Sequence, residues 1–207
     1  MPVTPEHPDR DTIALIRRET PFQGYFRVDR YTLRHPMFAG GMTGDVVREV
    51  FERGHAAALL PYDPARDEVV LIEQFRVGAY AAGEAPWLIE IVAGIIEPGE
   101  TPEGVVLREG VEEAGLAVAD LLPLGKIFVS PGGSTETVEI YCGRCDSSGA
   151  GGIHGLASED EDIRVIVRPF AGAMSDLADG LIRSAPAVIA LQWLALNRDA
   201  LLRHWSA

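Results

Sequence analysis

Six glutamates and a single arginine crowd into residues 94–116, GIIEPGETPEGVVLREGVEEAGL. Glu109, Glu112 and Glu113 stand three and four residues apart, the spacing at which like charges on a helix repel. Such a face costs stability unless something positive sits among the carboxylates. Arg108 is one such cation and can reach Glu112 at i+4. A divalent metal is the other, because hard cations take clustered carboxylate oxygens. A solvated acidic helix face explains the same residues without function, and the helix alone leaves both readings open. A second acidic run, SEDED at 158–162, has the solvated loop as its ordinary fate.

The elements that must position these groups can be read from punctuation and periodicity. Thr101 as N-cap, Pro102 at N1, Glu103 in the first turn and Gly115 at the end predict a helix over 102–114. On that helix Leu107, Val111 and Ala114 form the expected inward stripe, with the glutamates on the other side. Residues 1–20 read as a helical or partly ordered arm. FQGYFRVDRYTLRHP alternates apolar with charged residues and predicts a half-buried strand. DVVREVFERGHAAALLPYD reads as one strand that becomes central, PYDPARDE as a turn, and VVLIEQFRVGAY as the hairpin partner carrying Arg76. APWLIEIVAGIIEPGE, LLPLGKIFVSPGG and TVEIYCGRC add strands. SSGAGGIHGLASEDED predicts a mobile loop before the strand IRVIVRPF, and two helices close the chain. The expected class is α/β, with helices laid on a largely strand-built core.

Composition sets the outer bounds. The chain has 207 residues and a formal net charge of −13, with a sequence pI near 4.7. That surface speaks against binding nucleic acid or anionic membrane, since both demand positive charge. An acidic protein acting on an acidic substrate needs local help from arginines or divalent cations. No run reaches the ~18 apolar residues of a membrane span, and the N-terminus lacks a signal peptide's apolar stretch; a cytoplasmic setting is expected. Cys142 and Cys145 form a lone C-x-x-C, too few ligands for a zinc site and at a strand end where a redox pair is not expected. They read as inert thiols. His55 reads as a buried, hydrogen-bonded core residue.

Gly94, Glu100 and the run REGVEEAGL are similar to the Nudix box, G-x5-E-x7-R-E-U-x-E-E-x-G-U. Every fixed position matches: Gly94, Glu100, Arg108, Glu109, Glu112, Glu113 and Gly115. The one departure is Gly110, where a bulky aliphatic residue is usual. The resemblance implies a Nudix fold, an α/β/α sandwich around a mixed sheet, and cleavage of a nucleoside diphosphate linked to another moiety. It implies Mg²⁺, with Mn²⁺ as a substitute, held by Glu109, Glu113, Glu161 and the Ala93 carbonyl. Glu112 and Arg108 would support catalysis, and Glu159 would be the general base, with the Glu159 and Glu161 roles open to exchange.

Similarity to bacterial ADP-ribose pyrophosphatases extends from about residue 22 to 196, and Pro131 lies where that subfamily carries a marker proline. Arg53 and Arg76 would then pair with phosphates, and Tyr25 and Phe26 would stack on adenine. Arg48 and Glu49 would reach substrate from a neighbouring subunit, Ile95 would line the sugar site, and Ser130, Pro131, Gly132 and Glu136 would touch substrate from one loop. The implied division is an arm with dimerisation strands at 1–50, swapped in a homodimer, and a catalytic domain at 51–207. A GDP-mannose or other nucleotide-sugar pyrophosphatase, or a non-catalytic ADP-ribose-binding regulator, is the competing expectation.

Overall fold

Gly54, at a φ of 85° that favours glycine, divides what the sequence presents as one long strand. The computed structural model describes residues 9–206. Before Gly54 the chain builds β1 (Ala14–Gln23), β2 (Arg27–Arg34) and β3 (Val46–Glu52). These form an antiparallel three-stranded sheet in the order β1-β2-β3. Residues 130–136 belong to the same compact unit, and Phe51 N–H donates to the Gly133 carbonyl at 2.8 Å. β1 corrects the expected arm over residues 1–20, of which 1–8 lie outside the described residues. Its register slips twice, between Leu15 and Arg17 and between Glu19 and Phe22, the second time across Pro21, which has no N–H for a ladder. Those slips erase the period-2 signal, so the strand depends on its partner more than on its own pattern.

After Gly54 the second unit begins. β4 (Ala56–Asp63) and β5 (Glu68–Phe75) form the expected hairpin, followed by α1 (Val77–Ala81), β6 (Trp87–Glu90) and β7 (Val92–Ile95). Then come α2 (Pro102–Ala114), β8 (Ala119–Phe128), β9 (Thr137–Arg144), β10 (Ile153–His154), β11 (Ile163–Pro169), α3 (Phe170–Ala178) and α4 (Ala185–Ser206). The sheet runs β10-β11-β5-β4-β9-β8, with β6 on β5 and β7 on β4. Only the β4–β9 pairing is parallel, so the sheet is mixed.

β4 is buried along almost its whole length, as a strand covered on both faces must be. Ala58, Leu60 and Tyr62 pack with Leu191 and Leu194 of α4 on one side. Ala57 and Leu59 pack with Val105 and Val106 of α2 on the other. This unit is therefore the expected α/β/α sandwich. The C-x-x-C is split by the same geometry. Cys142 lies in the α4-side core and Cys145 in the α2-side core, and burial pushes each free thiol up to about 12. No helix among the described residues is long and apolar enough to cross a membrane.

Candidate active site

α2 begins and ends as its punctuation predicts. The Thr101 hydroxyl accepts from Gly104 N–H at 3.1 Å, Pro102 opens the helix, and Gly115 closes it at a left-handed φ of 65°. Its rotation differs from the expected one. Leu107 is 41% and Val111 58% exposed, whereas Val106, Gly110 and Glu113 face the sheet, with Glu113 only 2% exposed. One feature turns the helix this way. Glu113 finds a backbone partner beneath the helix, accepting the Ala93 N–H of β7 at 2.9 Å. The carboxylate face is an inward face.

Burial governs the electrostatics that follow. It pushes Glu113 up to about 8, against the pull of the Ala93 N–H and with Glu109 and Glu161 adding repulsion. Glu109 rises to about 6, again chiefly through burial, with Arg108 opposing. Arg108 is the buckle of the cluster. Its Nε donates to Glu100 at 3.2 Å, and its Nη1 donates to Glu109 at 2.8 Å and Glu112 at 2.7 Å. Burial works against that charge, yet the three glutamates outweigh it and raise the guanidinium above its ordinary value. Glu100 is in turn fixed by the Glu97 N–H at 3.0 Å, which with Arg108 holds its carboxyl below the ordinary range. Gly94 leaves room for the Glu109 side chain: a Cβ there would fall 1.9 Å from Glu109 Oε1 and 2.6 Å from its Cγ and displace it.

Around this helix the same unit sets further groups. β5 ends at Phe75, so Arg76 precedes α1 as its N-cap rather than lying in a strand as expected; its N–H is taken by the Pro86 carbonyl at 2.7 Å. The Arg76 Nε donates to Glu90 at 2.7 Å, and its charge acts on Glu113. Glu90, which fixes the Arg76 guanidinium, is a residue the sequence reading did not single out. Only the β5–β6 register, which sets Ile72 opposite Glu90, could have signalled it. Ile95 lies half-buried on β7. The 147–162 segment carries more order than the expected loop: β10 pairs with β11, and a 3-10 turn spans Ala157–Glu159. Glu161 accepts the Leu156 N–H at 3.1 Å, while Glu159 is exposed. His55 is exposed instead of buried, because β4 starts only at Ala56; its ring meets the Thr137 hydroxyl at 2.8 Å.

The remaining sequence-derived candidates fall in the first unit. Tyr25 and Phe26 meet edge to face at 4.7 Å, and Arg53 lies 5.6 Å over the Phe26 ring. Arg53 Nη1 donates to Glu136 at 2.7 Å. Tyr25 is 87% exposed. Glu49 accepts from Arg30 at 2.7 Å, and Arg48 is exposed, donating to the Val47 carbonyl. The Ser130 carbonyl accepts from Gly133 and Ser134 N–H, a turn that includes Pro131 and Gly132.

Chemically, the second unit gathers hard oxygen donors with more negative charge than Arg108 and Arg76 can balance. Among the described residues no three His, Cys, Asp or Glu side chains already stand in a metal-binding array, and Arg108 occupies Glu109 and Glu112. The donor type, the surplus charge and the neutralising burial of Glu113 nonetheless suit a hard divalent cation. The NUDIX domain family model matches residues 52–169. The chain belongs to the Nudix family. This Nudix hydrolase is 51% identical over 197 residues to the ADP-ribose pyrophosphatase of Escherichia coli (strain K12), covering 95% of this chain and 94% of the relative. It is 32% identical over 200 residues to a GDP-mannose pyrophosphatase of Pectobacterium atrosepticum, covering 94% and 97%. A solved ADP compounds hydrolase shares the fold at a TM-score of 0.67 and 22% identity, over 89% of this chain and 95% of that one.

Proposed function

We propose that this Nudix hydrolase cleaves the pyrophosphate of ADP-ribose, with water, to AMP and ribose 5-phosphate. The observation that carries the substrate is the 51% identity along nearly the whole chain to an ADP-ribose pyrophosphatase. A P–O bond of the pyrophosphate breaks, water supplies the new oxygen, and the leaving phosphate departs on the sugar or the nucleoside.

Glu109, Glu113, Glu161 and the Ala93 carbonyl would hold Mg²⁺, with Mn²⁺ able to substitute. The cation supplies neutralisation of the phosphate charge and a more acidic water. Arg108 holds Glu109 and Glu112 beside Glu113, and a cation would take over part of its neutralising role as the carboxylates turn toward it. The Ala93 N–H holds one Glu113 oxygen and leaves the other for ligation. Arg76, oriented by Glu90, offers a guanidinium to a phosphate, a task its planar fork suits. Glu159, exposed on its turn, takes the proton from the attacking water. Asp160 beside it sits at a left-handed φ of 55°. In the first unit Arg53 and Glu136, Tyr25 and Phe26, and the 130–132 turn serve substrate, with Arg48 and Glu49 serving it from a second copy. Exposed Leu15, Phe22 and Phe38 support a homodimer built through the N-terminal strands, since apolar patches of this kind favour association. The reaction is assigned to the cytoplasm.

The test uses purified protein with ADP-ribose, GDP-mannose and ADP-glucose, each with Mg²⁺ and with EDTA, the products being separated by chromatography. The expected result is metal-dependent AMP from ADP-ribose, with kcat/KM at least about tenfold above the other two, a preference of ~1.4 kcal/mol. A preference for GDP-mannose overturns the substrate and keeps the reaction. Binding of ADP-ribose without cleavage overturns both.

A further inference from the structure

The 155–161 turn carries Glu161 and Glu159, yet it is neither a long strand nor a helix, and something has to hold it. It is attached to α2 by one side chain and one backbone hydrogen bond. The His154 ring lies on Gly115, the C-cap of α2, in an approach that no other residue at 115 permits. A Cβ on Gly115 would stand 2.6 Å from His154 Cε1 and 3.3 Å from Nδ1. The ring's orientation is fixed at its other end, where Nε2 lies 2.9 Å from the Gly151 carbonyl; for this bond Nε2 must carry the proton and donate. Next along the chain, Gly155 N–H donates to the Glu112 carbonyl at 3.2 Å. That carbonyl is among the last four of α2, which have no partner within the helix.

From Gly155 the link continues to the carboxylate. Gly155 has a φ of 102°, and a Cβ there would meet Glu161 Cβ at 2.7 Å and Glu161 O at 3.2 Å, so the two backbones lie against each other. Leu156 N–H then holds Glu161 Oε2 at 3.1 Å, and Glu161 N–H donates back to the Leu156 carbonyl at 3.3 Å. Glu161 in turn acts on the charges of Glu109 and Glu113.

We infer that His154 is a positioning residue: packed on Gly115 and bonded to Gly151, it sets the 155–161 turn at the height that presents Glu161 to Glu109 and Glu113 of α2. The inference rests on the reading that Glu161 serves the metal-dependent reaction. His154 itself contacts no reacting atom. Removing its ring leaves the sheet core untouched and frees the turn.

The experiment compares wild type with His154→Ala, His154→Gln, Gly115→Ala and the Gly115→Ala/His154→Ala double variant. Amide hydrogen exchange is followed in EDTA, so that this readout is independent of activity. Mg²⁺-dependent kcat and KM with ADP-ribose are measured in parallel. In His154→Ala, exchange over residues 155–161 should accelerate by about tenfold or more while β4 and β5 stay protected, the mark of local opening. kcat should fall ~10–100-fold with KM changing less than about threefold, as expected when placement of a working group is lost. His154→Gln, which retains a donor toward Gly151, should recover most of both losses. Gly115→Ala should lose activity, and the second substitution should cost less on that background than on wild type, because the clash has already displaced the ring. Unchanged exchange over 155–161 together with unchanged kcat in His154→Ala overturns the inference. So does uniform acceleration across the core strands, which marks a purely structural residue. A wild-type protein that leaves ADP-ribose intact overturns the proposed function instead, and the exchange arm still decides whether His154 holds the turn.

Discussion

The two compact units treat charge in opposite ways. The first, residues 1–54 with 130–136, holds eight arginines against nine acidic residues, while the second holds ten basic residues against 22. Nearly the whole net charge of −13 therefore sits in one unit. In the first, carboxylates each meet at least one arginine: Asp29 has Arg18 and Arg27, Glu49 has Arg30, Asp45 has Arg34 and Glu136 has Arg53. In the second, outlying carboxylates such as Asp176 and Glu84 are paired in the same way, but in the α2 cluster Arg108 serves Glu100, Glu109 and Glu112 together, and Glu113 is buried with only a backbone N–H. Matched carboxylates are finished structure. Unmatched, desolvated carboxylates store a demand for a cation, and the proposed function puts hydrolysis beside them.

The largest break in that contrast comes from Glu113→Gln. Hydrolysis of ADP-ribose should fall by about 10³-fold or more, on the scale of losing one group that stabilises developing charge, while the metal-free protein at neutral pH melts higher because folding no longer has to protonate a buried carboxylate. A rate within tenfold of wild type, measured by AMP release, contradicts the placement. Gly94→Ala comes next. Its Cβ would displace Glu109 at the 1.9 Å contact, and kcat should drop ~10–100-fold with the melting temperature little altered. An unchanged kcat would mean that Glu109 works from another rotamer.

The pH dependence of stability separates the buried glutamates of α2 from Asp29 in sign. Burial raises Glu113 from 4.5 to about 8 and Glu109 to about 6. Their folded-state values lie above the unfolded ones, so the stability they contribute is fully present below about pH 4.5. It is lost as pH climbs through about 6 and then about 8. Denaturant unfolding in EDTA should show roughly 2–4 kcal/mol less stability at pH 8.5 than at pH 5, and Mg²⁺ should reverse the loss. Asp29 has the opposite sign. The Thr20 hydroxyl, followed by Arg18, holds it at about 2, so its contribution is present above the ordinary carboxylate value and disappears as pH falls toward 2. A flat profile from pH 5 to 8.5 in EDTA would remove the claim that the glutamates are unmatched.

Smaller changes sharpen the comparison. A Cβ at Gly110 meets only ordinary contacts of 3.5–3.7 Å, so Gly110→Ala should stabilise by ~0.5–1 kcal/mol through helix propensity, seen as a higher melting temperature. Asp45→Asn, in an exposed pair with Arg34, should shift stability by less than about 0.5 kcal/mol and leave hydrolysis unchanged.

Much of this was legible in the sequence, and the failures have a common cause. α2, its caps, the β4–β5 hairpin and the two closing helices follow from local punctuation. The face of α2 does not: Leu107 and Val111 look inward by amphipathicity, yet Glu113 takes the buried place because a backbone donor waits on β7. The break at Gly54, the helix after Arg76 and the strand at Ala14–Gln23 are set by pairing partners outside the segment itself. The Nudix motif named the carboxylates without their surroundings, and so Glu90, which binds Arg76 from outside the motif, went unread, and His154 could be placed in its loop without the contacts it makes to Gly115 and Gly151.

The most direct test of the unmatched-carboxylate claim is calorimetric titration of the substrate-free protein with Mn²⁺ at pH 8, repeated with Glu113→Gln. Binding by wild type, weakened at least about tenfold, or ~1.4 kcal/mol, in the variant, is the predicted result. Equal affinity in the two proteins, or no binding by either, would contradict it.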